Sequence, residues 1–208
     1  MFNITKKSLD INKEISEKME GKTFHFHTHI LYDIRTLLGE GCKKYVEIGS
    51  YCGGSASLIL THPYKTECYC IDLGYPIPKE IVERNVNKFK SPDNGFRYIQ
   101  GNSQSPEIID IVKNDIKNID ILFIDGDHSK NGTTQDYLNY ACLVNKGGYI
   151  IFDDYRDSFD SPEVKIAVDQ IVDSIDTNQY EIIGSLKYDL LKEFTNFDSS
   201  NLFIIKKI

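Results

Sequence analysis

Apolar and polar positions along this chain fall into blocks that switch between two periods. Residues 44–49 (KYVEIG), 67–72 (ECYCID), 97–100 (RYIQ), 119–125 (IDILFID) and 148–153 (GYIIFD) are short apolar runs bounded by turn residues, which predict buried strands. Helical repeats lie between them. They cover 54–61, then 78–89 with Ile81, Val82, Val86 and Phe89 on one face, and a segment announced by Ser105-Pro106-Glu107. Another runs through Tyr137, Tyr140, Ala141 and Val144, with Lys146-Gly147-Gly148 as its predicted stop. A second Ser-Pro-Glu at 161–163 opens a helix whose Val164, Ala167, Val168, Ile171, Val172 and Ile175 recur at spacings of three and four. After it, 180–184 and 202–206 are strands joined only by a polar loop, which predicts an antiparallel pair at a sheet edge. Residues 8–40 read as two helices laid over the sheet. The pattern predicts an α/β fold: five parallel βα units closed by an antiparallel hairpin, with helices on both faces. Its domain reading is an N-terminal helical cap at 1–40 and a main domain at 41–208.

Composition narrows the classes. A chain of 208 residues with 40% hydrophobic content is long enough to bury about 70% of its unfolded surface without disulfides. Cys42, Cys52, Cys68, Cys70 and Cys142 are odd in number and match neither a zinc knuckle nor a redox pair, so they read as core residues in a reducing compartment. The first 18 residues carry charges throughout and nothing later resembles a membrane span, so a cytoplasmic protein is expected. A net charge of -7, with no basic stripe interleaved with aromatics, argues against nucleic acid as partner. The expected partner is a small molecule, and a homo-oligomer is left open.

Residues 45–55 (YVEIGSYCGGS) end a predicted strand in glycines. This is not the dinucleotide fingerprint, because Tyr51 stands where that motif needs its second glycine. Gly49 and Gly53 instead let backbone amides approach a carboxylate at the start of the next helix, and Glu47 is suited to an ammonium, a polarity that fits an amino-acid zwitterion. Asp72, 25 residues beyond Glu47, ends the second strand where an acid can accept two ribose hydroxyls; it could equally turn the chain into Gly74-Tyr75-Pro76. The segment resembles the first motif of class I S-adenosylmethionine-dependent methyltransferases, and the strand order expected is their Rossmann-like seven-stranded sheet. The resemblance places Glu47, Gly49, Ser50, Tyr51, Gly53, Ser55, Asp72 and Asp125 around S-adenosylmethionine, with Asn102 and Ser103 beside the adenine. Asn and Ser before a helix start also serve as caps.

Two strands end in acids, Asp125-Gly126-Asp127-His128 and Asp153-Asp154-Tyr155. Carboxylates about 5 Å apart repel by roughly 3 kcal/mol per pair at an effective dielectric of 20, so such a cluster calls for a cation or a proton. Over roughly residues 40–175 the arrangement resembles the cation-dependent O-methyltransferase branch, the group of macrolide-sugar O-methyltransferases and cephalosporin hydroxylase-like proteins. The resemblance implies Mg2+ or another hard divalent cation on Asp125, Asp153 and Asp154, with His128 as the base that takes the acceptor's proton. Relatives often have asparagine where this chain has Asp154. Asp127 reads as a turn residue or a neighbour that supports the ligands, rather than as a ligand.

His25, His27 and His29 alternate before a helical stretch. A metal site, a lid or substrate contact, and packing at a helix entrance are all open for them. The function expected is a Mg2+-dependent O-methyltransferase acting on a hydroxyl of a small polar acceptor, a sugar or vicinal diol on resemblance alone. Two alternatives from other classes stand beside it: a cofactor-binding module without turnover, and a nucleotide-sugar or NAD-linked enzyme on a similar sheet.

Overall fold

The computed structural model describes residues 5–21, 26–186 and 201–208. Its strands form a seven-stranded mixed sheet of order β3-β2-β1-β4-β5-β7-β6, and the chain divides between Ser105 and Pro106 into two compact units.

The first unit carries strands β1 (Lys43–Ile48), β2 (Thr66–Asp72) and β3 (Gly95–Gln100), paired in parallel in the order β3-β2-β1. Four helices accompany them: α1 (Lys6–Lys18), α2 (Ile30–Leu37), α3 (Gly54–Leu60) and α4 (Lys79–Phe89). Thr5 caps α1 by accepting the Ser8 N–H at 3.2 Å. Ile15 and Met19 then bury against Tyr32, Cys52 and Leu58, each such side chain contributing about 1.5–3 kcal/mol. Polar pins fix the same helices. The Asp33 carboxylate accepts from Thr5 N, Thr5 Oγ1 and Ser8 Oγ at 3.1, 2.8 and 2.7 Å. Arg35, wholly buried, donates to Thr66 Oγ1 and to the carbonyls of Gly39, Gly41 and Lys65 within 3.0 Å. Residues 26–29 form a single 3-10 turn leading into α2, so the predicted helix entrance is there; His29 is buried, and His25 lies outside the described residues.

The second unit carries β4 (Ile119–Ile124), β5 (Val144–Phe152), β6 (Tyr180–Gly184) and β7 (Phe203–Lys207). β4 pairs with β5 in parallel, while β7 lies antiparallel between β5 and β6. The helices are α5 (Pro106–Ile111), which continues as a π turn over Val112–Ile116, α6 (Lys130–Tyr140) and α7 (Pro162–Ser174). One expectation is corrected. Gly147 and Gly148 do not stop a helix: α6 ends at Tyr140 and β5 already begins at Val144. Val144 pairs with Ile119, the register shifts before Ile121, and Gly147 takes φ +85, so the glycines belong to a bulge inside the strand. At Gly148 a Cβ would stand 2.8 Å from the Asp120 carbonyl, which excludes any side chain there.

A second correction concerns the cysteines. Cys52, Cys68 and Cys70 are buried free thiols as expected, but Cys42 and Cys142 are exposed: Cys42 precedes β1, and Cys142 sits in the short 3-10 turn Ala141–Leu143 that links α6 to β5. Among the described residues no helix is long and apolar enough to cross a membrane.

Candidate functional site

In the first unit, the chain leaves β1 through a loop whose shape depends on left-handed backbone. Gly49 and Gly53 adopt φ +80 and +83, and Tyr51 adopts φ +44, an uncommon conformation for an aromatic residue. At Gly53 a Cβ would stand 3.0 and 3.1 Å from Val86 Cγ2 and Val82 Cγ1, so glycine lets α3 begin flush against α4. Asp72 holds this loop. Its Oδ2 accepts the N–H groups of Ser50 (2.7 Å) and Tyr51 (3.2 Å) and the Ser50 hydroxyl (3.3 Å), and its Oδ1 accepts Gly74 N (2.7 Å) and Tyr98 Oη (3.1 Å). The turn into Gly74 and the loop after β1 are thus gathered on one carboxylate.

Glu47 is fully buried. The Tyr45 hydroxyl donates to Oε2, the Cys70 thiol lies 3.8 Å from Oε1, and Ser55 adds a side-chain hydrogen bond. Burial pushes its pKa up to about 7 against those hydrogen bonds, with the charge of Asp72 adding to the rise. Asn102 Oδ1 accepts the Gln104 N–H at 2.9 Å, an Asx turn leading toward α5.

In the second unit, the ends of β4 and β5 place the acids. Asp153 N donates to the Ile124 carbonyl at 3.0 Å, which carries the strand pairing as far as the acid pair. Asp154 then turns into a left-handed conformation at φ +54, which aspartate tolerates better than most residues. Asp125, His128 and Asp154 each present a ligand atom, all within 4.8 Å of one another. His128 Nε2 lies 3.4 Å from Asp125 Oδ1, and Nδ1 lies 2.8 Å from Ser161 Oγ and 3.5 Å from Asp154 Oδ2. Ser161 Oγ donates to Asp154 Oδ2 at 3.1 Å, and Asn201 Nδ2 donates to Oδ1 at 3.0 Å. Asp153 stands next to this trio with its Oδ1 accepting the Asp154 N–H at 2.8 Å.

Charge crowding defines the electrostatics. Burial and the charge of Asp153 push Asp125 well above the usual carboxylate range. The side chain retains 29% of its exposure, so the crowding of acids is the firmer cause. The hydrogen bond with Asp125 raises His128 to about 9 against the opposing effect of burial, with the charges of Asp125, Asp154 and Asp153 helping. His128 therefore holds its proton more tightly than a free imidazole does, beside acids whose charge it offsets.

Two of the three expected cation ligands, Asp125 and Asp154, come together with the expected base His128. Asp127 is the turn residue it was expected to be: its Oδ1 accepts Ser129 N at 2.9 Å, and Gly132 leaves room for it over the first turn of α6. Ser161 and Asn201 carried no functional reading in the sequence. Ser161 looked like a helix cap, and Asn201 sat in an unpatterned polar loop; the only signal was their proximity to Pro162 and to the last strand.

Residues 46–155 match a family model described as a methyltransferase domain. An uncharacterized protein of Acanthamoeba polyphaga mimivirus is 36% identical over 206 residues, covering 94% of this chain and 93% of its own length. Among solved structures, the O-methyltransferase NovP is 19% identical with a TM-score of 0.62, covering 95% of this chain and 97% of that one. MycE methyltransferase from the mycinamycin biosynthetic pathway, in complex with Mg and SAH, is 16% identical with a TM-score of 0.61, covering 96% of this chain and 54% of that one. Structures described as rRNA methylases share the fold as well.

Proposed function

This chain belongs to the methyltransferase domain family, and from that membership we propose that it transfers a methyl group from S-adenosylmethionine to a hydroxyl of a small polar acceptor, a sugar or vicinal diol. Asp125, Asp153 and Asp154 are the proposed holders of Mg2+ or another hard divalent cation. The observation that carries the proposal is the convergence of Asp125, His128 and Asp154 within 4.8 Å. Oxygen ligands at about 2.1–2.4 Å around one octahedral cation lie roughly 3–4.8 Å apart, a separation that Asp125 and Asp154 already meet, whereas Asp153 stands beside them with its Oδ1 on the Asp154 N–H and would have to turn toward the ion. When bound, the cation supplies positive charge that makes a nearby hydroxyl more acidic.

The chain's own residues do the rest. The acceptor oxygen attacks the methyl carbon, the carbon–sulfur bond breaks with its electron pair going to sulfur, and the acceptor's proton passes to the imidazole of His128. The value of about 9 for His128 belongs to the metal-free arrangement, since the acids that raise it are those a cation would neutralise. On the donor side, Asp72 and the loop from Gly49 to Gly53 are assigned to the ribose and amino-acid ends. Glu47, expected at the donor's ammonium, is fully buried and enclosed by Tyr45, Ser55 and Cys70, so its proposed role is instead to brace that loop from β1 to α3. Alignment of nucleophile, carbon and sulfur is the main contribution to rate.

Calorimetric titration with S-adenosylmethionine, S-adenosylhomocysteine and NAD tests the class. Binding of both sulfur compounds and not NAD is expected; NAD binding with neither sulfur compound overturns the proposal. Methyl transfer screened against a glycan panel, with and without EDTA, tests the cation. RNA is a second acceptor class, raised by the rRNA methylases that share the fold and opposed by the net charge of -7.

A further inference from the structure

We propose that Ser161 is a positioning residue that keeps a proton on Nδ1 of His128 and thereby makes Nε2 the nitrogen that takes up the acceptor's proton. This rests on the assignment of His128 as the base. Ser161 occupies the N-cap of α7, where a serine hydroxyl ordinarily accepts an N–H from the first helical turn. Thr5 and Ser129 do so at the N-caps of α1 and α6. The Ser161 side chain makes no cap bond and is 2% exposed; its hydroxyl is turned instead between His128 and Asp154.

A hydroxyl has one proton to give. Directed at His128 Nδ1, it would leave the oxygen's lone pairs facing Asp154 Oδ2 at 3.1 Å, two acceptors in apposition. Directed at Asp154, it makes that contact a hydrogen bond and leaves the oxygen free to accept from an Nδ1–H at 2.8 Å. Only the second placement turns both contacts into bonds. Asp154 cannot swing away from the hydroxyl, because Asn201 holds its other oxygen at 3.0 Å. With Nδ1 committed, the contact left without a shared proton is the longest of the three, Nε2 to Asp125 Oδ1 at 3.4 Å, against 2.8 and 3.1 Å for the two that Ser161 makes, so Nε2 is the nitrogen open to take up a proton. The same hydroxyl holds Asp154 in place as a cation ligand.

The test uses the full-length, metal-free protein with 15N-labelled histidine, the His128 signal being assigned by its loss in His128→Gln. Long-range 15N–1H correlation spectra on the alkaline side of the His128 titration should show a protonated Nδ1 and a bare Nε2 in the wild type. In Ser161→Ala the balance should move toward the Nε2–H form that free imidazole side chains prefer, and Ser161→Thr should restore it. Ser161→Ala loses its two bonds to His128 and Asp154 but no cap bond, so its melting temperature should fall by several degrees at most, with the fold retained. Titration with Mn2+ should show affinity weaker by about tenfold in the alanine variant, the usual effect of removing a group that orients a ligand. A wild-type His128 carrying its proton on Nε2, or a tautomer unchanged by Ser161→Ala, overturns the inference. These spectra need no donor or acceptor. Failure of S-adenosylmethionine to bind would therefore remove the proposed reaction while leaving the Ser161–His128 relation standing.

Discussion

Asp72 Oδ2 accepts the main-chain N–H of Ser50 at 2.7 Å, so the acid that ends β2 holds the loop that ends β1. Asp72→Ala strips acceptors from three backbone amides and the Tyr98 hydroxyl. With some of those donors reached by water, a loss of about 2–4 kcal/mol in urea unfolding is expected. S-adenosylmethionine affinity should fall at least about tenfold. Asp72→Asn, which keeps one acceptor oxygen, should lie between. Unchanged affinity would remove Asp72 from the cofactor site and leave it a loop anchor.

Asp125→Asn separates donor binding from cation binding. Replacing a carboxylate oxygen by an amide should weaken Mn2+ binding by at least about tenfold, because a neutral donor gives up most of the attraction to a dication. The contacts of Asp72 lie on other strands, so calorimetry should find S-adenosylmethionine affinity within a few fold of wild type. Equal loss of both affinities would contradict the assignment.

His62 sets an acid limit on stability. The Thr36 hydroxyl gives its proton to the Tyr32 carbonyl at 3.0 Å, so at 2.9 Å it must accept from His62 Nε2–H. Nδ1 accepts the Tyr64 N–H at 3.1 Å, which leaves no room for a second ring proton. Burial, then the charges of Arg35 and Lys7, lower its pKa from 6.5 to about 4. The unfolded chain therefore binds the proton first: the contribution is intact above pH 6.5 and drains away as pH falls toward 4, on the order of 3 kcal/mol in all. Urea midpoints at pH 7 and pH 4.5 should differ less in His62→Gln than in wild type; equal differences would rule His62 out as the source.

Arg35→Lys should be far from conservative. A single ammonium cannot reach the four acceptors that the guanidinium spans, and buried carbonyls left unmet cost about 1–3 kcal/mol each. A loss of at least about 3 kcal/mol is expected from urea unfolding, with Arg35→Ala at least as damaging. A variant within about 1 kcal/mol of wild type would mean that water replaces the lost bonds.

The strands were legible because parallel strands buried on both faces leave continuous apolar runs, and runs such as Ile121 to Ile124 have no other economical reading. The ends of β4 and β5 were legible for the same reason, since acids after such runs have nowhere to go but the sheet edge. Gly147 and Gly148 misled because glycine serves a helix stop and a strand bulge alike, and the choice was settled by Val144 pairing with Ile119, a contact 25 residues away. Ser161 was invisible in its role for a related reason. Local sequence announces a cap, whereas the competing partners, His128 and Asp154, arrive from two other segments.

The positive φ of Asp154 narrows what the position can become. A saturation library there would be sorted twice, first by backbone and then by chemistry. Only short polar residues and glycine would pass the first filter without strain of about 1–2 kcal/mol, and of those glycine would bring no side-chain oxygen to the second. Interchange of aspartate and asparagine is thus the path of least resistance for drift at this site, one that alters its charge while leaving the chain trace undisturbed.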